Sequence, residues 1–218
     1  MKNYETVLFD LDGTLTDPGI GITNSVMYAL KKYGIEVSDR AELYCFIGPP
    51  LLDSFQRYYG FSEKQAIEAV AYYREYFSDG GLFENTVYDG IEKLLQNLKK
   101  AGKKLVVATS KPEVFAVRIL EHFGLAEYFD YIAGAELNGP RNRKGDVIAY
   151  ALTSCGIADA SNVIMVGDRE HDVNGAKENG IDCIGVLFGY GNRRELEEAG
   201  AAYIAETVEE IERIICGL

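Results

Sequence analysis

Short apolar runs recur along this chain, and most are followed by a stretch with helical spacing of apolar positions. Runs of strand length lie at Thr6–Leu11, Lys104–Thr109, Tyr131–Ala135, Val163–Gly167 and Cys183–Val186, with a shorter one at Ala202–Ile204. Between them, residues Tyr88–Ala101, Glu113–Phe123, Gly145–Cys155 and Asp172–Asn179 place apolar side chains at the three- and four-residue intervals of a one-sided helix. Gly102, Gly124, Gly156 and Gly180 follow these four stretches, where a helix C-terminus favours glycine. Alternation of this kind predicts a parallel, doubly wound, Rossmann-like α/β sheet.

The rhythm breaks between Pro18 and Leu82, where no buried strand can be read. Asn24–Tyr33, Arg40–Ile47, Leu51–Tyr59 and Lys64–Tyr76 read as helices, punctuated by Gly34, Gly48-Pro49-Pro50 and Gly60. About 65 residues of helix is too long for an ordinary connection between strands. The expected organisation is therefore an α/β core of residues 1–17 and 83–218, with a small helical domain, residues 18–82, inserted after the first strand.

Polar chemistry collects at the strand ends. The first strand reads V-L-F-D-L-D-G-T-L-T-D, with Asp10 and Asp12 two apart. On a regular strand they would share one face. Such a pair is costly to bury unless a cation or a proton offsets the desolvation. A plain Asp-Gly turn is the alternative. The second strand runs into A-T-S-K-P, so Thr109 and Ser110 are expected at a helix head, either as a phosphate cradle or as an N-cap. Lys144 lies in R-N-R-K-G-D, just before a helix, where surface exposure is the ordinary expectation. The fourth strand ends in M-V-G-D-R-E-H-D. There Asp168 and Asp172 fit either a hard cation, which prefers oxygen ligands, or the positive end of a helix dipole. His171, beside them, reads as a non-catalytic surface residue.

The net charge of −12 disfavours binding to a nucleic-acid polymer but not to a small phosphorylated molecule, because a local metal ion can invert the field. No run approaches the length of a membrane span, and the N-terminal residues show no signal peptide. Four scattered cysteines without a C-x-x-C suit a reducing, cytoplasmic setting, and two histidines argue against structural zinc. Oligomeric state is not legible here.

The ordered set D-L-D-G-T-L-T-D, Thr109, Lys144 and G-D-R-E-H-D resembles the four motifs of the haloacid dehalogenase-like hydrolase superfamily, over the whole chain. The helical insert looks like that family's cap domain. I-G-P-P-L-L-D-S-F (47–55) and G-V-L-F-G-Y-G (185–191) are similar to its 5′-nucleotidase-like branch, and phosphoglycolate phosphatase-like proteins are the neighbouring resemblance. The resemblance implies a phosphatase that requires Mg²⁺ and acts on a small phosphate ester. Asp10 would be the nucleophile and Asp12 the general acid and base. Asp10, the Asp12 backbone carbonyl and Asp168 would hold the metal, with Asp172 behind them. Gly13, Thr109, Ser110 and Lys144 would bind the phosphoryl group. Dehalogenases and phosphonatases of this type lack an acid at the position of Asp12. A phosphomutase, or a non-catalytic binding module on the same fold, remains an alternative. In the insert, Ile22, Asn24, Ser25, Gly48, Pro49 and Ser54 are candidates for substrate contact or for packing. Arg57 could meet an acidic substrate or form a surface ion pair.

Overall fold

Six strands, β1 (Thr6–Phe9), β4 (Lys104–Pro112), β5 (Tyr131–Ala135), β6 (Val163–Gly167), β7 (Asp182–Val186) and β8 (Tyr203–Ala205), build one sheet in the computed structural model, which describes residues 2–217. Their order is β5-β4-β1-β6-β7-β8, and every neighbouring pair is parallel. Parallel strands are covered on both faces by crossover helices, which explains why β1 and β6 are buried at every position rather than alternating. From β1 the chain moves one way to β4 and β5, and from β6 it moves the other way to β7 and β8. The switch therefore falls between β1 and β6, and ligand crevices open there, beyond the C-terminal strand ends.

The core helices are α4 (Ile91–Lys100), α5 (Glu113–His122), α6 (Lys144–Ser154), α7 (Glu170–Glu178), α8 (Arg193–Ala199) and α9 (Val208–Cys216). α4 shows the logic. Its buried residues are Ile91, Leu94, Leu95 and Leu98, one helical stripe. Each contributes about 1.5–3 kcal/mol by leaving water. Neither α8 nor α9 was expected from the apolar pattern. α9 keeps only a sparse stripe of Val208, Ile211 and Ile215, and α8 buries Leu196 alone.

Residues 1–17 with 87–218 form one compact unit, and residues 18–86 form a second. Two short strands, β2 (Thr16–Asp17) and β3 (Thr86–Val87), make a separate two-stranded sheet. The second unit holds α1 (Gly19–Lys31), α2 (Leu51–Tyr59) and α3 (Glu63–Asp79). Arg40–Phe46 and Gly81–Phe83 are 3-10 turns, so the helix expected at 40–47 is the tighter form. α3 begins at a capping box: the Gln65 backbone N–H donates to Ser62 Oγ, and the Gln65 side chain accepts from the Ser62 backbone N–H at 3.0 Å. An aromatic centre includes Phe46, Phe55 and Phe61, the last two stacked at 5.8 Å. Among the described residues, no helix is long and apolar enough to cross a membrane.

Candidate active site

The sequence V-L-F runs as strand only to Phe9, so Asp10 and Asp12 do not share a strand face as their spacing suggested. The Asp10 N–H still reaches the Val166 carbonyl at 2.9 Å, but the Leu11 carbonyl then collects the N–H groups of Thr14, Leu15 and Thr16. That turn curls the chain at the end of β1 and aims the two acids differently. Gly13 makes it possible. Its φ is +82°, and a Cβ there would overlap the Asp168 carboxylate. Its N–H donates to the Thr16 carbonyl at 2.8 Å, so the expected N–H contact from Gly13 to a phosphoryl group is already committed.

Asp10, Asp168 and Asp172 converge. Each offers a carboxylate oxygen, these oxygens lie within 4.8 Å of one another, and all three residues are buried. Lys144 is the first residue of α6 rather than a loop lysine, and it too is buried. Its Nζ lies 2.7 Å from Asp10 and 2.8 Å from Asp172, and it donates to the Ala108 carbonyl at 3.1 Å. Burial pulls the Lys144 ammonium down, yet the two carboxylates outweigh it and hold the group above its ordinary value. Asp168 is pushed well up by burial and then by the charges of Asp172 and Asp10. Asp172 rises for the same first reason, with Lys144 pulling against it. Asp172 also accepts from the Arg169 backbone N–H at 3.0 Å, so it closes the first turn of α7 while serving the cluster.

Three ionised carboxylates facing one ammonium leave two negative charges uncompensated. Asp168 Oδ1 is buried and accepts no hydrogen bond among the described residues. Hard oxygen donors around such an excess of charge fit Mg²⁺.

Asp12 stands apart from that cluster. Its Oδ2 accepts from Lys111 Nζ at 2.5 Å, and Lys111 is buried. Burial raises the Asp12 carboxyl above the usual range, with Asp10 adding to this and Lys111 opposing it. The chain did not point to Lys111, although it stands in the quoted T-S-K-P. Thr109 and Ser110 do not open a helix. β4 continues to Pro112, with a register shift after the Thr109–Gly134 pair, and α5 starts at Glu113. Thr109 is buried, and its Oγ1 accepts from the Lys111 N–H at 3.2 Å.

Tyr190 and Asp17 also belong to this site and were not singled out as site residues. The Tyr190 N–H donates to Asp168 Oδ2 at 2.7 Å, and the Tyr190 hydroxyl donates to Asp17 Oδ1. His171 is half-buried on α7.

In the 18–86 unit, several candidate contacts are spent on packing. Ser25 Oγ donates to the Gly21 carbonyl at 2.6 Å, Ser54 Oγ donates to the Pro50 carbonyl at 3.1 Å, and Ile22 is buried. Asn24 donates to Glu84 at 2.8 Å and accepts from Arg40 at 2.9 Å. Gly48 and Pro49 are half-buried. Arg57 is exposed and lies over the Tyr58 ring at 5.5 Å, a cation–π contact rather than the expected ion pair.

Residues 7–186 match the family described as haloacid dehalogenase-like hydrolase. The chain is 52% identical to a 5′-nucleotidase of Pseudomonas aeruginosa, over 88% of this chain and 87% of that one. It is 41% identical to the tyrosine-protein kinase PtkA of Mycobacterium tuberculosis, over 96% of this chain and 72% of the relative. A crystal structure described as a predicted phosphatase from Clostridium acetobutylicum superposes with a TM-score of 0.96 at 54% identity, covering 99% of this chain and 100% of that one.

Proposed function

This chain belongs to the haloacid dehalogenase-like hydrolase family and is a phosphoric monoester hydrolase, and from that premise we propose that it cleaves a small phosphomonoester, of nucleoside monophosphate or phosphoglycolate type, through an aspartyl-phosphate on Asp10 with Mg²⁺ as cofactor. One observation carries the reading: three buried carboxylates and a buried ammonium meet beyond β1 and β6, while a fourth carboxylate, Asp12, is held separately by its own lysine.

Asp10 attacks phosphorus, a P–O bond to the aspartyl oxygen forms, and the bond to the leaving alcohol breaks. Asp12 gives its proton to the departing oxygen, then removes one from the water that attacks the aspartyl-phosphate. Burial keeps Asp12 above the ordinary carboxylate range, which suits a group that must carry a proton before it can donate one. Lys144 neutralises charge on Asp10 as negative phosphoryl oxygens approach. Thr109 Oγ1 accepts from Lys111, which leaves its hydroxyl hydrogen to donate to a phosphoryl oxygen. Mg²⁺ on Asp10, Asp168, Asp172 and the Asp12 carbonyl would supply the neutralisation that lets a carboxylate meet a phosphate dianion.

The likeness to the Pseudomonas aeruginosa 5′-nucleotidase supports nucleoside 5′-monophosphates as leading substrates. The test is phosphate release from a panel of nucleoside monophosphates, phosphoglycolate, sugar phosphates and pyrophosphate, with Mg²⁺ and with EDTA. The reading expects a metal-dependent maximum in kcat/KM among the small monoesters. Full activity in EDTA, or transfer of label into an isomeric sugar phosphate without free phosphate, would contradict it.

A further inference from the structure

The segment Gly189-Tyr190-Gly191 wraps Asp168 more closely than any side chain would permit. A Cβ on Gly189 would overlap the Gly13 carbonyl and the Asp168 side chain, and one on Gly191 would overlap the Asp168 carbonyl. The backbone can approach only because both flanking positions are glycine. That approach brings the Tyr190 N–H to 2.7 Å from Asp168 Oδ2. One carboxylate oxygen is thereby fixed, and the other, Oδ1, is left buried and unpartnered. The ring of the same residue spans to Asp17 and donates its hydroxyl to Oδ1 there. Asp17 closes the D-G-T-L-T-D run that begins at Asp12, and Gly13 in that run packs on Asp168. The loop after β7 is therefore tied at one point to Asp168, which follows β6, and at another to Asp17, in the chain that follows β1.

We propose that Tyr190 is a positioning residue for the cation site: its hydroxyl, latched to Asp17, holds the Gly189–Gly191 backbone in place so that the Tyr190 N–H orients the Asp168 carboxylate with Oδ1 directed to the metal. The inference rests on the reading of Asp10, Asp168 and Asp172 as the Mg²⁺ site. Groups that orient a metal ligand without touching the metal commonly set its affinity by about 10- to 100-fold. The hydroxyl is one residue further removed, which places its effect at the lower end, about tenfold.

Mg²⁺ binding is measured by titration calorimetry on the full chain, without substrate, for the wild type, Y190F, D17A, D17N and the double variant Y190F/D17A. Y190F removes one oxygen and D17A removes its acceptor, so each weakens Mg²⁺ binding about tenfold. The double variant is no weaker than either single, because both break the same bond. D17N loses the charge of Asp17 but keeps a carbonyl acceptor, and it binds within about threefold of the wild type. Urea unfolding in EDTA separates fold from site. A lowered midpoint with Mg²⁺ affinity unchanged assigns Tyr190 a purely structural role and overturns the proposal. So does affinity within twofold of the wild type in Y190F, or a D17N variant as weak as D17A, which would make charge rather than the latch responsible. A wild type that takes up no Mg²⁺ overturns the underlying site reading as well.

Discussion

Replacing Lys144 with methionine removes a charge while keeping most of the volume, so it isolates what the ammonium does. Lys144 Nζ lies 2.7 Å from Asp10 and 2.8 Å from Asp172, with its side chain 4% exposed. At an effective dielectric near 20, each contact has a gross attraction of about 6 kcal/mol. Desolvating the ammonium consumes much of that, and breaking a buried pair from one side costs about 3–5 kcal/mol in practice. For a chain of this size, about 2–4 °C per kcal/mol converts the loss to a fall in Tm of about 6–20 °C. The loss should depend on pH. Asp172 is already raised by burial, and Lys144 pulls it down. Without Lys144 its folded-state value climbs further above the unfolded value, so protonation favours the folded variant. The deficit is then full from neutral pH up to about pH 10, the unfolded lysine value, and shrinks as pH falls toward the unfolded carboxylate range. Urea unfolding in EDTA at pH 8 and pH 5 reads both effects, and adding D172N to K144M should recover about 1 kcal/mol or more at pH 8. A loss below about 1 kcal/mol at pH 8, or the same loss at both pH values with no recovery in the double variant, would refute the electrostatic account of this cluster.

D12N should lower kcat by about 10²- to 10⁴-fold, because a carboxamide cannot shuttle the proton; steady-state phosphate release by the folded variant reads it, and a loss under tenfold would contradict the assignment. Gly13→Ala should cost about 1–3 kcal/mol in urea unfolding and weaken the Mg²⁺-induced rise in Tm, since its φ of +82° and the Asp168 carboxylate both oppose a Cβ. Asp130 is held below its ordinary value: burial pushes it up, but the Leu105 N–H at 2.9 Å and Lys99 together prevail. Its contribution is therefore complete above about pH 4 and fades as pH drops through the lower folded-state value, so the stability gap between wild type and D130N should narrow with acid.

The regular elements of the core were legible because burial on both faces leaves uninterrupted apolar runs. Tyr131–Ala135 and Val163–Gly167 occupy the bounds their composition suggested. The acids at strand ends were legible for the complementary reason, that carboxylates next to such runs are costly without a purpose. Local geometry was less readable. The pleat argument for Asp10 and Asp12 failed because the Leu11 carbonyl captures three following N–H groups and ends the strand early. The helix head expected at Thr109 and Ser110 moved to Glu113 because β5 continues to pair with β4 as far as Pro112. Lys144 looked like surface because its neighbours Arg141, Asn142 and Arg143 are polar; only the fold brings it between Asp10 and Asp172. Contacts between distant positions outside the four motifs were out of reach. Lys111 meets Asp12 across 99 residues, and Tyr190 meets Asp17 across 173, distances at which no spacing rule operates.

The most direct test of the central claim is an acid quench of a single turnover with substrate carrying labelled phosphate, followed by peptide mapping. The account predicts transient label on the peptide containing Asp10 in the wild type, and in D10N neither labelled protein nor phosphate release above about one-thousandth of the wild-type rate. Phosphate release by folded D10N within tenfold of the wild type, with no labelled protein at any time, would contradict it.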